Sequence, residues 1–509
     1  MQRRDFLRTA AFASAGAVLT GCAPSSIAAD KAAPKSKIKN VLLIVADDYG
    51  YMDVGFNNPK SFYDTPCLDK LAKSGMILTD AYAACPVCSP TRYSIQTGRY
   101  PTRGPATDYF GGRRAMKFRP ADYDARMKLD EVTIAEALKP HGYKTFFAGK
   151  WHLGEKATHW PEAQGYDVNK GGWAKGGPYG GKKYFSPYGN PRLDDGPDGE
   201  HLPKRLVDET IKAMTEWSKA DKPFFANLCF YSVHTPLIGR KDLIAKYKKR
   251  YAKLNGAKES KNAKAKKFRK AGGTRGKLER IVQDHCVYAA MVEAMDEYIG
   301  ELIDSLDTLG IADETLVIFF SDNGGLSTSE GSPTSNLPLR CGKGWMYEGG
   351  IREPGIIRAP GLTKAGTTSA APVISTDFYP TILDLLGKKL LPDQHKDGVS
   401  LRPILDGSVP DEFKTRPLFW HYPHYGNQGG FPSSAIRKGD WKLIQGLEDG
   451  HFQLYNLKDD IGEMKNLAKT NTKKVDELFE HMKAIRTETG ARYLRPKPGS
   501  KEKPYTQKD

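Results

Sequence analysis

The sequence has few cysteines, and they follow no regular spacing. Seven cysteines occur in 509 residues, an odd number that does not suit a framework of paired disulfides. Cys85 and Cys88 have the C-x-x-C spacing of a redox pair or half a zinc site, but no second C-x-x-C and no thioredoxin-like frame accompanies them. A disulfide scaffold, a four-cysteine zinc site and thioredoxin chemistry are therefore all disfavoured.

Long hydrophobic runs are also missing, since no internal segment approaches the length of a membrane span. At the start of the chain, Arg3 and Arg4 precede a short Ala-rich stretch that ends at Leu19-Thr20-Gly21-Cys22. This pattern is typical of a twin-arginine export signal with a lipoprotein-type cleavage site. We predict a signal over 1–22, lipidation of Cys22 and a linker over 23–36; the alternative is a plain secretory signal cleaved near Ala29. Both interpretations predict that export machinery carries the protein out of the cytoplasm. The exported protein would then be periplasmic, or it would be anchored at the cell envelope only through a lipid.

Positive charge is not spread along the chain. The formal net charge is +17, yet residues 240–280 alone contain 17 Lys or Arg against three acidic residues. A nearly neutral remainder argues against a nucleic-acid-binding protein. The basic segment could bind a polyanion, but a solvated helical insertion is the more usual meaning of such a run.

Four mainly apolar segments, each ending in polar residues, predict buried strands over 40–45, 144–148, 224–230 and 315–320, and the first contains an unbroken apolar run of the kind typical of parallel strands. Between them, apolar residues recur at helical spacing, as over 288–309. Strands alternating with helices predict an α/β fold with a large, mainly parallel sheet sandwiched by helices. Ligands of such sheets gather at the carboxyl ends of the strands.

Beyond about residue 410 the pattern changes to short strand-like pieces separated by Gly and Asp turns. We predict a catalytic domain over 37–410, with the basic insertion 240–280, followed by a small antiparallel-sheet subdomain over 411–509. A last amphipathic helix is predicted over 475–489, and disorder is predicted for the Lys- and Pro-rich end.

Oxygen-bearing side chains follow two of the predicted strands. Asp47 and Asp48 come after the first strand, and Asp322 and Asn323 come after the strand 315–320. Adjacent carboxylates repel each other unless a cation neutralises them. An all-oxygen set suits Ca²⁺, and Mg²⁺ less well, whereas zinc would want His or Cys. One Asp pair alone would indicate a cap or turn, but two at neighbouring strand ends predict a metal site.

The segment 88–92, Cys-Ser-Pro-Thr-Arg, continues to Thr-Gly-Arg-Tyr-Pro at 97–101 and resembles the signature of the type I sulfatases, in the alkaline phosphatase superfamily. Thr91 and Ile95 stand where serine and leucine are commoner, and neither change touches a reactive position. In that family the cysteine is oxidised to formylglycine, whose hydrated aldehyde is both metal ligand and nucleophile. The resemblance thus implies that Cys88 is modified and that residue 88 joins the metal site. Because twin-arginine export carries folded proteins, we predict that a cytoplasmic maturase makes this change before export.

Further blocks match the family in its own order and extend the resemblance over nearly the whole mature chain. They lie at 46–48, 149–154, 232–236, 321–324, 343–354 and 454–467.

The resemblance and the charge of the substrate together imply a role for each matched residue. Lys150, Lys343 and the cation would clamp the sulfate oxygens, and Arg92 would hold the nucleophile. His234 is the candidate acid for the leaving oxygen, and His152 the candidate base that restores the aldehyde. The expected activity is hydrolysis of sulfate esters, on a sulfated carbohydrate or aryl sulfate.

Two other functions stay open at this point. The first is a formylglycine-dependent phosphonate or phosphate ester hydrolase, which would use the same nucleophile. The second is a glycan-binding surface lipoprotein, which would not be an enzyme and would need no nucleophile. A dizinc phosphatase is disfavoured because it would need a Ser or Thr nucleophile and more histidines. The Gly- and aromatic-rich stretch 171–188, with Trp173, Tyr179 and Tyr184, is predicted to wall the substrate cleft, and His421 and His424 to reach it.

Overall fold

The structure is a computed structural model that describes residues 37–255, 267–273 and 276–506. The predicted signal, Cys22 and the linker lie outside the described residues. The strands are β1 (Asn40–Ala46), β2 (Met76–Leu78), β3 (Ala81–Tyr82), β4 (Lys144–Gly149), β5 (Val168–Lys170), β6 (Phe224–Cys229), β7 (Phe268–Gly272), β8 (Lys277–Arg280), β9 (Thr315–Ser321), β10 (Gly355–Arg358), β11 (Thr367–Ser369), β12 (Val373–Ile374), β13 (Leu418–Tyr422), β14 (Ser433–Lys438), β15 (Trp441–Gly446) and β16 (Phe452–Asn456). The helices are α1 (Pro66–Ser74), α2 (Cys88–Thr97), α3 (Ile134–Leu138), α4 (Leu202–Lys219), α5 (Lys241–Asn255), α6 (Cys286–Thr308), α7 (Glu348–Ile351), α8 (Phe378–Leu385), α9 (Asp411–Thr415) and α10 (Thr472–Thr489).

An eight-stranded sheet forms the centre of the fold, in the order β11-β2-β10-β9-β1-β6-β4-β5. All neighbouring pairs are parallel except those of β10, which runs antiparallel to β9 and β2. The four strands predicted from the apolar segments are β9, β1, β6 and β4, which are consecutive neighbours in this sheet. The predicted α/β class is confirmed.

The register of these central strands brings their carboxyl ends to one level. Ala46 of β1 lies opposite Ser321 of β9, and Cys229 of β6 lies opposite both Val45 of β1 and Gly149 of β4. Residues that follow these strands therefore emerge side by side at a single edge of the sheet.

Helices cover the sheet on both faces. Leu68 of α1, Leu206 of α4 and Met295 of α6 belong to the apolar cluster of one face, and Ile95 of α2 and Ile382 of α8 to that of the other. Fully burying a side chain of this size contributes roughly 1.5–3 kcal/mol relative to leaving it exposed. Among the described residues, no helix has both the length and the apolarity needed to cross a membrane.

The predicted small sheet is also confirmed: β13 to β16 form an antiparallel meander. It is covered by α10, which begins at Thr472, three residues before the predicted start. The meander shares an apolar cluster with Tyr82 and Cys85, and the Trp420 indole Nε1 donates to the Ala83 carbonyl at 2.7 Å. The small sheet thus supports the chain just before α2.

Two predictions outside the central sheet were wrong. Residues 491–506 are not disordered, because Arg495 exchanges backbone hydrogen bonds with Arg119 at 2.8 and 2.9 Å and the ring of Tyr505 lies 6.5 Å from that of Tyr493. The basic segment is not wholly helical, since α5 is followed by the hairpin β7–β8. Its charges are partly neutralised by acids elsewhere in the chain, as where Arg250 pairs with Asp64.

Candidate active site

Cys88 is the first residue of α2 and is 3% exposed. Thr91 ties the first turn of the helix to the preceding chain, because its Oγ1 donates to the Cys85 carbonyl at 3.0 Å. Gly98 ends the helix in a left-handed conformation, with φ of +66°. A reactive group at residue 88 therefore lies at the positive end of the helix dipole, which favours negative charge there.

The carboxylates after β1 and β9 meet at the aligned strand ends, where Asp47, Asp48, Asp322 and Asn323 are all fully buried. The backbone N–H of Asp48 donates to Asp322 Oδ1 at 3.3 Å, and Asn323 Nδ2 donates to Asp48 Oδ1 at 2.8 Å. Asp48 has a positive φ of 59°, a conformation that is uncommon for a non-glycine residue and is found preferentially at functional sites.

Three cationic side chains surround this acidic group. Lys150 Nζ lies 2.7 Å from Asp47 Oδ2, Lys343 Nζ lies 2.7 Å from Asp48 Oδ1, and the Arg92 guanidinium binds Asp322 Oδ2 through Nε and Nη2 at 2.8 Å. Burial lowers the pKa of both lysines, but the adjacent carboxylates outweigh it and leave these pKa values raised. Both amines are therefore positively charged at neutral pH.

The two neighbouring aspartates differ in their electrostatics. Burial raises the pKa of Asp47 well above its usual value; Lys150 opposes this, whereas Asp322 and Asp48 add to it. Burial also acts on Asp48, but Lys343 and His234 outweigh it and lower its pKa. At Asp47, unlike Asp48, the nearby positive charge does not outweigh burial and the two neighbouring carboxylates.

The donor set fits a hard cation. Asp47 Oδ1 and Asn323 Oδ1 are buried and have no hydrogen-bond partner among the described residues. Asp47, Asp48 and His234 each present a ligand atom, and these atoms lie within 4.8 Å of one another. Unsatisfied buried oxygens are costly, and a bound cation would satisfy both of these.

His152 lies next to Cys88, with its Nδ1 3.4 Å from the Cys88 sulfur. Its Nε2 is 3.2 Å from the Phe110 carbonyl, which fixes the ring plane. Burial, Lys150 and Arg92 all lower the pKa of His152 well below its usual value. The imidazole is neutral at pH 7 and can accept a proton.

His234 lies on the other side of the acidic group, with its Nε2 3.7 Å from Asp48 Oδ2 and its Nδ1 2.8 Å from the Thr235 carbonyl. Burial and then Lys343 lower its pKa to about 4, against the opposing effect of Asp48. An anionic ester bound beside the ring would favour its protonated form.

Glycine allows two close approaches here. Gly149 ends β4 with φ of +89°, and a Cβ at this position would lie 1.9 Å from the Cys229 carbonyl oxygen. The absence of a side chain therefore lets β4 end close to β6, immediately before Lys150. A Cβ on Gly176 would lie 2.5 Å from the ring of His152. The chain around 176 can therefore cover His152 only without a side chain.

A cavity of about 800 Å³ opens onto this group and has Cys88, His152, His234 and Lys343 in its wall. Lys150, Arg92 and the acidic side chains lie beneath it, linked to those residues by the contacts above. All the predicted catalytic and metal residues thus converge on one place.

The predictions for the cleft wall were only partly correct. Tyr179 lines the cavity, but Tyr184 is buried beneath it and donates to the carbonyls of Tyr231 and His234 at 2.6 and 2.8 Å. His421 and His424 do not reach the cavity: both are buried, paired with Ser434 and Thr107 respectively.

Sequence reasoning missed other wall residues. These are Tyr109, Phe110, Gly111, Arg113, Arg114, Glu330, Asn427 and Gln428. The Gly-Gly-Arg-Arg sequence at 111–114 was the one visible signal, because glycines beside paired cations indicate a loop able to hold an anion.

Comparisons with known proteins agree with this geometry. The family model described as Sulfatase matches residues 39–388, and that of the N-sulphoglucosamine sulphohydrolase C-terminal region matches 341–489. The chain belongs to the sulfatase family. It is therefore a sulfuric ester hydrolase.

Individual relatives match over most of their length. A sulfatase from Formosa agariphila is 32% identical over 502 residues, covering 85% of each chain. The mouse N-acetylgalactosamine-6-sulfatase is 32% identical and covers 75% of this chain and 68% of its own. The crystal structure of Ps i-CgsB in complex with k-i-k-neocarrahexaose has a TM-score of 0.71 at 28% identity, covering 89% of this chain and 93% of its own.

Proposed function

We propose that this sulfatase hydrolyses sulfate esters of carbohydrates, using a formylglycine made from Cys88 and a bound divalent cation, preferably Ca²⁺. The observation that carries the proposal is the position of the Cys88 sulfur, 3.4 Å from His152 at the wall of a cavity that also contains Lys343 and His234. The sulfur marks where the oxygen nucleophile of the modified residue would stand.

Formylglycine would supply a hydrated aldehyde whose oxygen attacks sulfur, and the cation would lower the pKa of that oxygen and neutralise the ester's charge. Asp47, Asp48, Asp322 and Asn323 are the residues that would hold the cation, with residue 88. The unpartnered oxygens of Asp47 and Asn323 support this assignment.

The chain's own residues then have distinct tasks. Lys343 and Lys150 bind the nonbridging sulfate oxygens, and Arg92 keeps Asp322 and the main chain at Lys150 in place through Nε, Nη2 and Nη1. His234 delivers a proton to the leaving oxygen. His152, neutral at pH 7, would accept at Nδ1 the proton of the nucleophile's second hydroxyl, so that the aldehyde C=O re-forms while the carbon–oxygen bond to sulfate breaks.

A carbohydrate substrate is supported by the relatives. The mouse relative is named for a 6-sulfated N-acetylgalactosamine, and the Ps i-CgsB structure contains a neocarrahexaose. The cavity, at about 800 Å³, is in the size range of pockets that enclose a small ligand.

The deciding experiment combines mass and turnover. We expect the peptide containing residue 88, isolated from the native host, to have the mass of formylglycine rather than cysteine. Cys88→Ala should lower turnover of a sulfated sugar by roughly 10³-fold or more, since the nucleophile is lost. An unmodified thiol in fully active protein would refute the proposal, and Cys85→Ala is the matched control.

Calcium is tested separately by thermal unfolding. A ligand that binds only the folded state at 100 times its Kd stabilises by about 2.7 kcal/mol. We expect calcium to raise the Tm of the wild type, and we expect this increase to be lost in Asp48→Asn. An equal increase in both proteins would contradict the assigned site.

A phosphonate ester hydrolase would use the same nucleophile, so the matured enzyme should be given an aryl sulfate and the corresponding aryl phosphonate. We expect the sulfate to be cleaved faster. Faster cleavage of the phosphonate would replace the proposed function with this alternative.

The proposed cellular route has three steps: oxidation of Cys88 by a cytoplasmic maturase, export of the folded chain, and anchoring through Cys22. Expression without a maturase should yield folded protein with very little activity. Absence of lipid on Cys22 in the native host would leave the plain secretory signal as the explanation.

A further inference from the structure

The mouth of the cavity contains three positive side chains that the proposed reaction does not use, Arg113, Arg114 and Lys175. Within residues 37–255, 267–273 and 276–506, none of the three forms a salt bridge with a carboxylate. Lys343, by contrast, is paired with Asp48. The three side chains therefore add positive charge that the surrounding acids do not pair with directly.

Arg114 is the most informative of these residues. Its Nη1 is buried and has no hydrogen-bond partner among the described residues. The nearby Asp108 forms no hydrogen bond with this nitrogen; its Oδ1 accepts from the Tyr109 N–H at 2.9 Å and the Tyr422 hydroxyl at 3.1 Å. Burial raises the pKa of Asp108, and Arg114 acts on that pKa only as a nearby charge that lowers it, with a smaller effect than burial. A buried charged donor without an acceptor is costly, and an anion in the cavity would relieve that cost.

The loop that contains both arginines is attached to the catalytic group. The Phe110 N–H donates to Ser89 Oγ at 3.0 Å, one residue from Cys88, and its carbonyl contacts His152 Nε2 at 3.2 Å. Tyr123 binds the Gly112 carbonyl from the other side. The main chain that leads into Arg113 and Arg114 is thus held at a fixed position relative to the nucleophile.

The acids in the cavity wall, Glu155 and Glu330, offset this charge only in part, because they number two against three cations. Glu330 is held against the wall, because its Oε1 accepts from Asn427 Nδ2 at 2.7 Å and from Gln428 Nε2 at 2.9 Å. Glu155 is exposed at the rim. The single charge of one sulfate ester faces Lys343 and Lys150, so the mouth remains positive when that ester is bound.

We infer that Arg113, Arg114 and Lys175 bind a second oxyanion of the substrate, a carboxylate or another sulfate group outside the ester being cleaved. This inference rests on the proposed function and narrows it to sulfated carbohydrates that bear more than one negative charge. Arginine suits such a site because its planar fork matches carboxylate and sulfate oxygens.

Small aryl sulfates test this without knowledge of the sugar. The matured enzyme is given 4-(sulfooxy)benzoate and its methyl ester, which keeps the sulfate charge but lacks the carboxylate charge, and separately 1,4-phenylene bis(sulfate) and 4-methoxyphenyl sulfate. In each pair the first substrate has the additional negative charge. We expect kcat/KM to be at least tenfold higher for the doubly charged member of one pair, and which pair shows it distinguishes carboxylate from sulfate.

The double variant Arg113→Gln/Arg114→Gln should lower that ratio at least tenfold. Lys219→Gln/Lys249→Gln, which removes the same charge from exposed helix positions outside the cavity, should leave the ratio unchanged. A ratio near one in both pairs for the wild type, or a ratio unaffected by the arginine substitutions, would overturn the inference. If the wild type cleaves no sulfate ester at all, the proposed function fails instead.

A binding measurement provides a readout independent of turnover. Calorimetric titration of the full chain carrying Cys88→Ala with 4-(sulfooxy)benzoate should give tighter binding than with the methyl ester, and adding the arginine substitutions should abolish the difference. If the double variant does not fold, Arg114→Lys retains the charge but loses the fork and should reduce the ratio to an intermediate value. Equal binding of both compounds would again count against a second anion site.

Discussion

Among single residues, the two histidines of the site have different surroundings, and this makes their proposed roles separable. His234 lies 3.7 Å from Asp48, whereas His152 lies 3.4 Å from the Cys88 sulfur. A proton donor matters most when the leaving oxygen is strongly basic. His234→Ala should therefore lower kcat by about 10²–10⁴-fold on an alkyl sulfate.

The same substitution should have a much smaller effect, within about tenfold, on 4-nitrophenyl sulfate, whose leaving group needs no proton. The measurement is kcat on both substrates for wild type, His234→Ala and the exposed control His451→Ala. Equal losses on both substrates would show that His234 is not the acid.

Among elements, the strands were predictable and the loops were not. β1, β4, β6 and β9 are buried on both faces over nearly their whole length, so their sequences are mainly apolar and can be recognised without tertiary information. The polar residues after them could be assigned to one site because parallel strands end at the same edge.

The loop 108–114 has no such periodicity. Its position depends on the hydrogen bond from Phe110 to Ser89, a contact between residues 21 positions apart. His421 and His424 were placed wrongly for a related reason: whether a histidine on a short strand, or just after it, points to a cleft or to the core depends on packing that the sequence does not reveal.

Helices α1 and α6 are joined through a buried carboxyl group, and this junction should respond to pH. Asp296 of α6 accepts from the backbone N–H groups of Cys67 and Leu68 in the first turn of α1, at 2.9 and 2.8 Å. Burial raises the pKa of Asp296 to about 7 despite these bonds. The unfolded chain has a lower, ordinary Asp pKa near 3.9.

Because the folded state binds this proton more tightly, the contribution of Asp296 to stability is present below about pH 4 and is lost as pH rises to 7. We expect the free energy of unfolding of the wild type to fall relative to Asp296→Asn between pH 5 and pH 8. Urea unfolding at both pH values tests this, with Asp304→Asn on the exposed side of α6 as control. Parallel pH curves for wild type and Asp296→Asn would contradict it.

In the whole molecule, buried charges join the small sheet to helix α7, which follows Lys343 of the active site in the chain. Lys442 of β15 is fully buried and lies 2.9 Å from both Glu348 Oε1 and Glu463 Oε1. Glu348 begins α7, whose Gly350 carbonyl accepts from the Gly324 N–H beside Asn323. The predicted boundary at residue 410 remains a prediction, but these contacts imply that the small sheet and the site are stabilised together.

Replacing Lys442 with Met tests that implication, because it leaves two carboxyl groups buried without their shared cation. Breaking a buried pair costs roughly 3–5 kcal/mol, so urea unfolding should show a loss of that size. Burial, and then Glu348, raise the pKa of Glu463 to about 7, against the opposing effect of Lys442. Without Lys442 this pKa rises further, so the loss should be larger at pH 8 than at pH 5.

Adding Glu463→Gln to Lys442→Met should recover part of the stability at pH 8. A loss below about 1 kcal/mol would mean that the charges are solvated and do not couple the two sheets.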